Sequence, residues 1–552
     1  MASYLADNAL SLLIALPGLT VAALAGIDLL ARSLLGVDRL PAAVWRGGGF
    51  VGAAITLCSA IFLVLARFDS EHLGYQLVER AEWIPALGAH YFVGVDGINL
   101  FLVLLVALLQ PVVLLATWHQ VERSAAELVA CLLVLESALL GLVLSLNLAQ
   151  FYLFWELTAL TLYFVVGVFG DTRRVASATR LIVHSSLGSF LMLTAILILA
   201  GLNAEQGGAL DLDLVAAAGS DGLGLLETRV AVAAEGVPWW RTQSWLFAGF
   251  AAGFAVRIPL IPLHTWLANV LRDTPTAASA LVVSAFACTG VYGFLRFALP
   301  LLPDAAADAA PLLVLVAALG TVYGGALALV QTEAKQLLAY VALSQLGLAT
   351  LGAFSLNVHG LVGAVVHALG LGLSLALIVV LLGALEERRS TLCLDDFGGL
   401  AKPMPVLTTI LGVAILSSVG LPALCGFVGE WLVVLGGFER HPASIALACV
   451  GLLVTAIALL RLLARVALGP VENPENRGLI DLDWRERVAC LLLVVPIFWI
   501  GLAPNPVLRR VEPSVLELLR QMDASRSVVP KQSAPPAKPP SASPTDANGE
   551  AI

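Results

Sequence analysis

Charged residues are scarce in this sequence. Only 12% of its 552 residues are Asp, Glu, Lys or Arg, whereas an ordinary soluble domain contains about 25%. So few charges cannot cover the surface of a water-soluble protein of this length, which excludes a soluble enzyme. The formal net charge of −9 argues against a nucleic-acid-binding protein. The apolar content of 59% excludes a disordered chain.

Cysteine is scarce as well, and none of the seven cysteines belongs to a C-x-x-C pair. This excludes a disulfide scaffold and removes the usual spacing of a cysteine metal site. Most of the cysteines fall inside apolar segments, where a free thiol behaves as a small core residue. We therefore predict no metal site.

Long apolar runs are what the sequence has in abundance, and its mean hydropathy is +0.93. A bilayer core of about 30 Å requires about 20 helical residues, and runs of that length recur along nearly the whole chain. The sequence therefore predicts an all-α polytopic membrane protein with about fourteen transmembrane helices. The predicted spans are 8–31, 48–67, 93–117, 127–147, 149–169, 181–201, 244–263, 277–299, 311–331, 336–354, 360–385, 404–438 (interrupted), 443–466 and 488–503.

Three segments outside these spans have a distinct composition. Residues 202–243 form the longest internal loop, and 506–522 have the pattern of a short amphipathic helix. Residues 524–552 are rich in Pro, Ser and Ala and cannot bury a core, so we predict that this tail is disordered.

Two of the predicted spans are interrupted. Pro259 and Pro262 fall inside the first, and Pro422 and Gly426 fall inside the second. A proline within a helix removes a backbone donor and clashes with the preceding turn. Broken helices at membrane depth, one in each half of a chain, are typical of transporters with repeated architecture. The alternative is a pair of proline kinks without a role in transport.

Three charged residues fall deep in the predicted spans: Glu156, Arg257 and Glu430. A charge at the bilayer centre costs roughly 2.5–3.5 kcal/mol, so such residues are candidates for function. Carboxylates and bases that alternate along a water-bridged line would form a proton relay. The alternative is a static ion pair of Glu156 and Arg257 that holds two helices together.

Other polar residues extend the candidate relay. His264 follows the first break, His367 lies in the eleventh span, and Lys335 lies between two spans. The alternative for each histidine is a hydrogen-bonded role in a packed core. Glu136 in the fourth span and Asp96 at the start of the third are further carboxylates at membrane depth.

The basic residues are concentrated in the loops on one side of the predicted membrane spans. With the N-terminus placed outside, the loops that fall inside hold most of the basic residues, among them Arg32, Arg173, Arg174 and Arg388. The positive-inside rule then puts both termini on the outer side of the membrane.

Several long motifs now support a resemblance to a known family. The motifs YFVGVDGINLFLVLL, FYLFWELTALTLYFVVGVFGD, AVRIPLIPLHTWL, ALVQTEAKQLLAYVALSQLG and GLPALCGFVGEWLVVLGGF resemble those of the antiporter-like subunits of respiratory complex I. The sequence is most similar to the M-type chains of bacterial NADH:quinone oxidoreductase, which correspond to mitochondrial chain 4. The resemblance covers roughly residues 80–515.

The resemblance implies an architecture and a setting. It implies fourteen helices in two inverted five-helix repeats, with three N-terminal helices at 1–126, the repeats at 127–300 and 301–470, and the last helix and amphipathic segment at 471–523. It implies a subunit of the proton-translocating arm of an NADH:quinone oxidoreductase in the bacterial inner membrane. The partners would be other membrane subunits, and the chain itself would bind no cofactor.

The family's relay residues are only partly retained. Glu156 and Glu430 fall on the family's glutamates of the fifth and twelfth helices. Arg257 replaces the seventh-helix lysine, and an arginine in a protein effectively cannot lose its proton. The other basic positions are occupied by Cys288 (a lysine in the family), and by Gln345 and Leu371 (histidines in the family).

These replacements suggest a divergent M-type chain whose central proton path is weakened or lost. Two alternatives remain. The chain could conduct ions in a related assembly, such as a cation/proton antiporter, a membrane-bound hydrogenase or an inorganic-carbon uptake complex. It could also be a non-conducting structural scaffold.

Overall fold

The computed structural model describes residues 8–35, 39–119, 124–207, 210–215, 224–226 and 239–527. Within these ranges the chain is an all-α polytopic membrane protein apart from one β-hairpin. Ten of the described helices are long and apolar enough to cross a membrane, or eleven if a bent pair near the C-terminus counts as one span. The tail predicted to be disordered lies outside the described residues from 528 onward.

The N-terminal part contains three helices and the hairpin. The elements are α1 (Ala9–Leu35), α2 (Ala42–Phe62, continued by a π-helical turn), β1 (Gln76–Ile84), β2 (Ala89–Val95) and α3 (Leu100–Ala116).

The middle of the chain is helical. The elements are α4 (Ala125–Leu144), α5 (Leu148–Phe169), α6 (Arg174–Gly207), α7 (Trp239–Arg257), α8 (Thr265–Asp273) and α9 (Thr276–Leu301).

The C-terminal part is helical too. Its elements are α10 (Pro303–Val330), α11 (Ala334–Phe354), α12 (Val358–Arg389), α13 (Pro405–Ser418), α14 (Cys425–Arg440), α15 (Pro442–Ala467), α16 (Trp484–Leu502) and α17 (Asn505–Ser527). The predicted amphipathic segment lies in α17, which turns away from α16 by 74°. Helix α17 ends at Ser527, within the first four residues of the segment predicted to be the tail.

The β-hairpin corrects one sequence prediction. The span predicted at 93–117 begins in β2, and its helix starts only at Leu100. The reason is local, because the Asp96 carboxylate accepts hydrogen bonds from the backbone N–H groups of Ile98 and Asn99 at 3.0 and 3.1 Å. Such a turn competes with helix formation.

The hairpin also holds the first helix. Glu79 on β1 accepts hydrogen bonds from the backbone N–H groups of Leu10 and Ser11, at 2.6 and 2.9 Å. A carboxylate at a helix N-terminus satisfies free donors and complements the helix dipole. The first, strongly apolar helix is thereby anchored to the hairpin.

Helices α9, α11 and α12 form the centre of the molecule. Their apolar windows are almost wholly buried, whereas α1, α6 and α15 bury only about a third of theirs. Leu34, Phe190 and Leu453 on the outer helices are each more than 60% exposed. An apolar surface of this kind suits contact with lipid or with other membrane subunits.

Candidate functional site

The first helix break lies between α7 and α8. Helix α7 ends at Arg257 and α8 begins at Thr265, so Pro259 and Pro262 both lie in the interruption. Neither proline has a backbone N–H to donate, which prevents one continuous helix here. The break leaves Arg257 at the end of a helix inside the protein, where its guanidinium can reach neighbouring helices.

Arg257 is buried and held by aromatic rings and neutral oxygens. It is 2% exposed, and its guanidinium carbon lies 3.5 Å from the centre of the Trp155 ring and 4.1 Å from that of Phe286. It donates hydrogen bonds to the Thr158 hydroxyl at 3.0 Å and to the Trp155 carbonyl at 2.9 Å. Cation–π contacts stabilise a desolvated arginine without a counter-ion.

Glu156 is not paired with Arg257. In the part of the chain that the structure describes, no ion pair within 4 Å joins the two side chains. Arg257 contacts Trp155, which precedes Glu156 along α5, and Thr158, which follows it by two residues. It attracts the Glu156 carboxylate only at longer range. One oxygen of Glu156 is buried without a hydrogen-bond partner. The static ion pair considered from the sequence is therefore not what the structure shows.

The second break lies between α13 and α14. Helix α13 ends at Ser418 and α14 begins at Cys425, so Pro422 lies in the break while Gly426 belongs to the following helix. Gly426 lies in the first turn of α14, where a Cβ would lie 1.9 Å from the carbonyl oxygen of Ser417. Gly420 adopts φ of +80°, and a Cβ added to it would lie 2.0 Å from a carboxylate oxygen of Glu430. Only glycine fits both the backbone angle and this close approach.

Glu430, Gln345 and His367 lie together beside the second break. The Gln345 Nε2 donates to the Ser418 carbonyl at 3.0 Å, at the end of α13. The Nε2 atom of His367 is 3.1 Å from the Gln345 backbone carbonyl. The other ring nitrogen of His367 is buried without a partner. Within this group, Glu430 is a carboxyl that can bind a proton, and His367 is a buried neutral imidazole.

Helix α9 connects the two breaks. Arg257 approaches the Thr289 hydroxyl at 3.4 Å, and the neighbouring Cys288 thiol donates to the carbonyl of Ala368, next to His367 on α12, at 3.4 Å. We use the name polar row for six residues that lead from the first break to the second: Glu156, Arg257, Cys288, His367, Gln345 and Glu430.

Between Arg257 and His367 the polar row has no base. Cys288 and Leu371 are 1% and 3% exposed. The cavity beside Cys288 has a volume of about 20 Å³ and a largely apolar lining, which is room for about one water molecule. Proton transfer between Arg257 and His367 would therefore have to pass the neutral thiol of Cys288.

Lys335 and His264 lie outside the polar row. The Lys335 ammonium donates to the carbonyls of Thr274 and Arg272 at 3.0 and 3.3 Å and lies 3.5 Å from Glu386. It thus binds the C-terminal end of α8, where a cation is stabilised by free carbonyls. The His264 ring packs against Tyr323 with centroids 5.3 Å apart, and its Nδ1 is buried without a partner.

A buried ion pair near the C-terminal end of α9 includes a residue that the sequence analysis missed. Arg296 is 3% exposed and lies between Asp96, at 2.8 Å, and the hydroxyls of Tyr75 and Tyr292, each at 3.1 Å. The sequence signal that could have revealed it is an arginine between Leu295 and Phe297 inside an apolar span. Among the described residues, the hydrogen-bond partners of Arg296 are Asp96, Tyr75 and Tyr292, and none of them belongs to the polar row. The pair therefore has the geometry of a structural link.

One group outside the spans has the composition of a metal site. His90, Asp211 and Asp213 place ligand atoms within 4.8 Å of one another, and burial raises the pKa of Asp211. Asp213 already accepts from Arg80 at 2.8 Å and from the Asn147 amide at 2.7 Å. A metal ion would have to displace the arginine, so these residues form an ion-pair network.

The fold and the row of polar groups define a class: a polytopic membrane protein with two proline-containing interruptions between helices and ionisable residues beside each interruption. The model of the NADH:quinone oxidoreductase/Mrp antiporter transmembrane family matches residues 145–456. The chain belongs to this family.

Similar proteins narrow the comparison. NADH-quinone oxidoreductase subunit M of Rickettsia bellii is 33% identical over 470 residues, which cover 85% of this chain and 91% of that protein. NADH-ubiquinone oxidoreductase chain 4 of Marchantia polymorpha is 30% identical over 476 residues, covering 86% and 92%. Both relatives match over nearly their whole length.

Solved structures share the fold. A chain of respiratory complex I from Thermus thermophilus with bound NADH has a TM-score of 0.79 and 28% identity, with 93% of this chain and 99% of that chain covered. A chain of the Mrp complex from Dietzia sp. DQ12-45-1b has a TM-score of 0.76 at 18% identity, covering 95% and 99%. The second likeness shows the fold alone.

Proposed function

We propose that this chain is a membrane subunit of a complex I-type NADH:quinone oxidoreductase and lies in its proton-translocating arm. The observation that supports this best is the full-length similarity to subunit M and chain 4 proteins, together with the matching fold of a complex I chain. The chain binds no redox cofactor in this proposal. It acts through conformational and electrostatic coupling to the other membrane subunits.

The finer architecture is part of the proposal. Counting α7 with α8 and α13 with α14 as two broken helices, and setting α17 apart, gives fourteen transmembrane helices. Three N-terminal helices at 1–126 precede inverted repeats at 127–300 and 301–470, and 471–523 hold the last helix and α17. In this topology the chain spans the bacterial inner membrane with both termini on the outer side.

The site is the polar row. Glu156 and Glu430 are its terminal proton-binding groups, Arg257 is a fixed positive charge, and His367 is the one neutral base within it. Lys335 and His264 support it from outside. The observation that favours a weakened path is the buried thiol of Cys288 between Arg257 and His367.

Co-purification tests the assignment to an NADH:quinone oxidoreductase. The tagged full-length chain is isolated from native membranes, its companions are identified by mass spectrometry, and NADH:quinone activity is measured. The proposal predicts hydrophilic redox subunits, quinone-site subunits and NADH-driven quinone reduction. Isolation with only cation/proton antiporter subunits, and no NADH oxidation, would support the related assembly, which the Mrp-like fold also fits.

A further inference from the structure

An apolar groove runs along the surface between α1 and α2. It has a volume of about 710 Å³, and its walls are formed by Ala9 and Leu12 on α1 and by residues between Phe50 and Arg67 on α2. Volumes of about 300–1,000 Å³ are typical of sites that bind small molecules. Ile55 in the wall is 49% exposed. Apolar side chains thus line an open recess that is far larger than the voids between packed helices.

The groove is long enough for the acyl chain of a lipid. At about 1.5 Å per helical residue, its wall on α2 extends about 25 Å from Phe50 to Arg67. One leaflet of a bilayer contributes about 15 Å of hydrocarbon. Arg67 is the last residue of the apolar span Ala42–Arg67, and a basic residue at the end of a span lies at the level of the lipid headgroups. An extended chain therefore fits in the groove below Arg67.

The groove residues of α2 follow one face of the helix. They recur at spacings of four, three and four residues, as one face of an α-helix requires. The members with this spacing are Val51, Ile55, Cys58 and Phe62. A regular α-helix would next bring the apolar residues Leu65 or Ala66 to this face. The residue that lines the groove there is Arg67 instead.

A π-helical turn explains the position of Arg67. This turn comprises Leu63–Arg67, and the N–H of Phe68 donates to the Leu63 carbonyl, five residues earlier, at 3.1 Å. Because hydrogen bonds in a π-helix join residues five apart, Arg67, which follows Phe62 by five residues, returns to the groove face. Such turns are rare and are frequently found at functional sites. Here the turn places a guanidinium at the end of an apolar groove.

The charges beyond the groove change sign. Arg67 is exposed, and a guanidinium has five N–H donors, so it can bind a phosphate beside other partners. Asp69 and Glu71 follow it and are exposed too. Two residues of chain span at most about 7 Å, so the backbone of Asp69 lies within that distance of Arg67. A ligand that extends out of the groove would therefore meet apolar walls, then a cation, then a carboxylate.

We propose that the groove binds one zwitterionic phospholipid with a primary ammonium group, which is the chemistry of phosphatidylethanolamine. An acyl chain lies along α2, the phosphate accepts hydrogen bonds from Arg67, and the ammonium faces Asp69. An anionic lipid without an ammonium group would bring only negative charge to the carboxylates beyond Arg67, so it should bind more weakly. The site belongs to the two N-terminal helices and does not depend on the function proposed above.

Thiol alkylation of the full complex, isolated with its companions, tests the occupant. Cys58 is exposed in the groove, and Cys449 on α15 is an exposed thiol outside it. The delipidated complex is supplied with phosphatidylethanolamine or with phosphatidylglycerol of the same acyl chains, and alkylation of each thiol by N-ethylmaleimide is followed by mass spectrometry. We expect phosphatidylethanolamine to slow the alkylation of Cys58 at least fivefold and to leave Cys449 unchanged. Phosphatidylglycerol should protect Cys58 less.

Three results of this experiment would overturn the proposal. Absence of protection by either lipid would show that the groove is not a lipid site. Equal protection by both lipids would refute the recognition of the ammonium group. If Cys58 is unreactive in a complex that phosphate analysis shows to be free of lipid, another subunit covers the groove.

Substitutions separate the headgroup contact from the apolar groove. Arg67→Gln should abolish most of the protection of Cys58, whereas Arg67→Lys, which keeps the charge, should retain part of it. The matched control is Arg32→Gln in the last turn of α1, where the arginine pairs with Asp28 outside the groove, and protection should be unchanged. Full protection in Arg67→Gln would refute the phosphate contact. Co-purification checks the assembly of each variant.

Discussion

The guanidinium of Arg257 lies 3.5 Å from the centre of the Trp155 ring and forms no ion pair with Glu156, the next residue along α5. The positive charge at the first helix break is therefore held by aromatic faces and neutral oxygens. Glu156 keeps a carboxylate oxygen without a hydrogen bond. The Glu156 carboxylate and the Arg257 guanidinium are therefore held by different neighbours.

The aromatic contact of Arg257 should be measurable as stability. Trp155→Phe keeps a ring beneath the guanidinium, whereas Trp155→Leu removes it. We expect the leucine variant to have a free energy of unfolding lower by about 2 kcal/mol than the phenylalanine variant, the value of a desolvated cation–π contact. Thermal unfolding of the detergent-solubilised chain measures this, and equal stabilities would argue against the contact.

The buried pair of Asp96 and Arg296 should be a strong structural link. Replacing Asp96 by Asn or Arg296 by Met leaves the other partner unpaired in the protein, which costs about 3–5 kcal/mol. The double variant should lose less than the sum of the two single changes, because no uncompensated charge remains. Chemical denaturation of the three variants checks this, and simple additivity would contradict it.

The start of α16 should give the chain a pH-dependent contribution to stability. Burial raises the pKa of Asp483, but the hydrogen bond from the Glu486 backbone and the charge of Arg485 more than offset it and leave the pKa below its usual value. A lowered carboxyl pKa stabilises the fold above the pKa of the unfolded chain, and this stabilisation is lost as the pH falls through the folded value.

The cap at Asp483 can be tested by two substitutions. Asp483→Ala should cost about 1 kcal/mol at neutral pH, the usual value of a lost N-cap. The cost should shrink as the pH falls through the folded pKa of Asp483. Asp483→Asn keeps a cap acceptor and should be milder. Thermal unfolding at several pH values measures both, and a pH-independent cost would contradict the role of the charge.

Proton conduction along the polar row should return only when a base that can lose its proton is placed at both position 257 and position 288. Arg257→Lys supplies a cation that can lose its proton, but Cys288 still interrupts the row beyond it. The variant carrying both Arg257→Lys and Cys288→Lys should raise the number of protons pumped per NADH, whereas Cys288→Ser should not. An increase with Arg257→Lys alone would show that Cys288 is no barrier. Assembly of each variant is checked by co-purification.

The sequence allowed the membrane class, the two breaks and the positions of Glu156, Arg257 and Glu430 to be predicted, because hydropathy, prolines and isolated charges are local features. It could not show that Arg257 contacts Trp155, because the side chains come from separate helices. The hairpin was missed since β2 runs into an apolar segment that resembles the start of a span. Arg296 was missed because its partner Asp96 lies 200 residues away.

The central claim is that the proton path through this chain is weakened at Cys288. The most direct test is the number of protons pumped per NADH oxidised, measured in proteoliposomes for the wild-type complex and for the variant with Glu156→Gln and Glu430→Gln. If the path is interrupted, removing both terminal carboxylates should leave this ratio and the rate of NADH oxidation unchanged. A lower ratio in an intact complex would show that this chain conducts protons and would contradict the account.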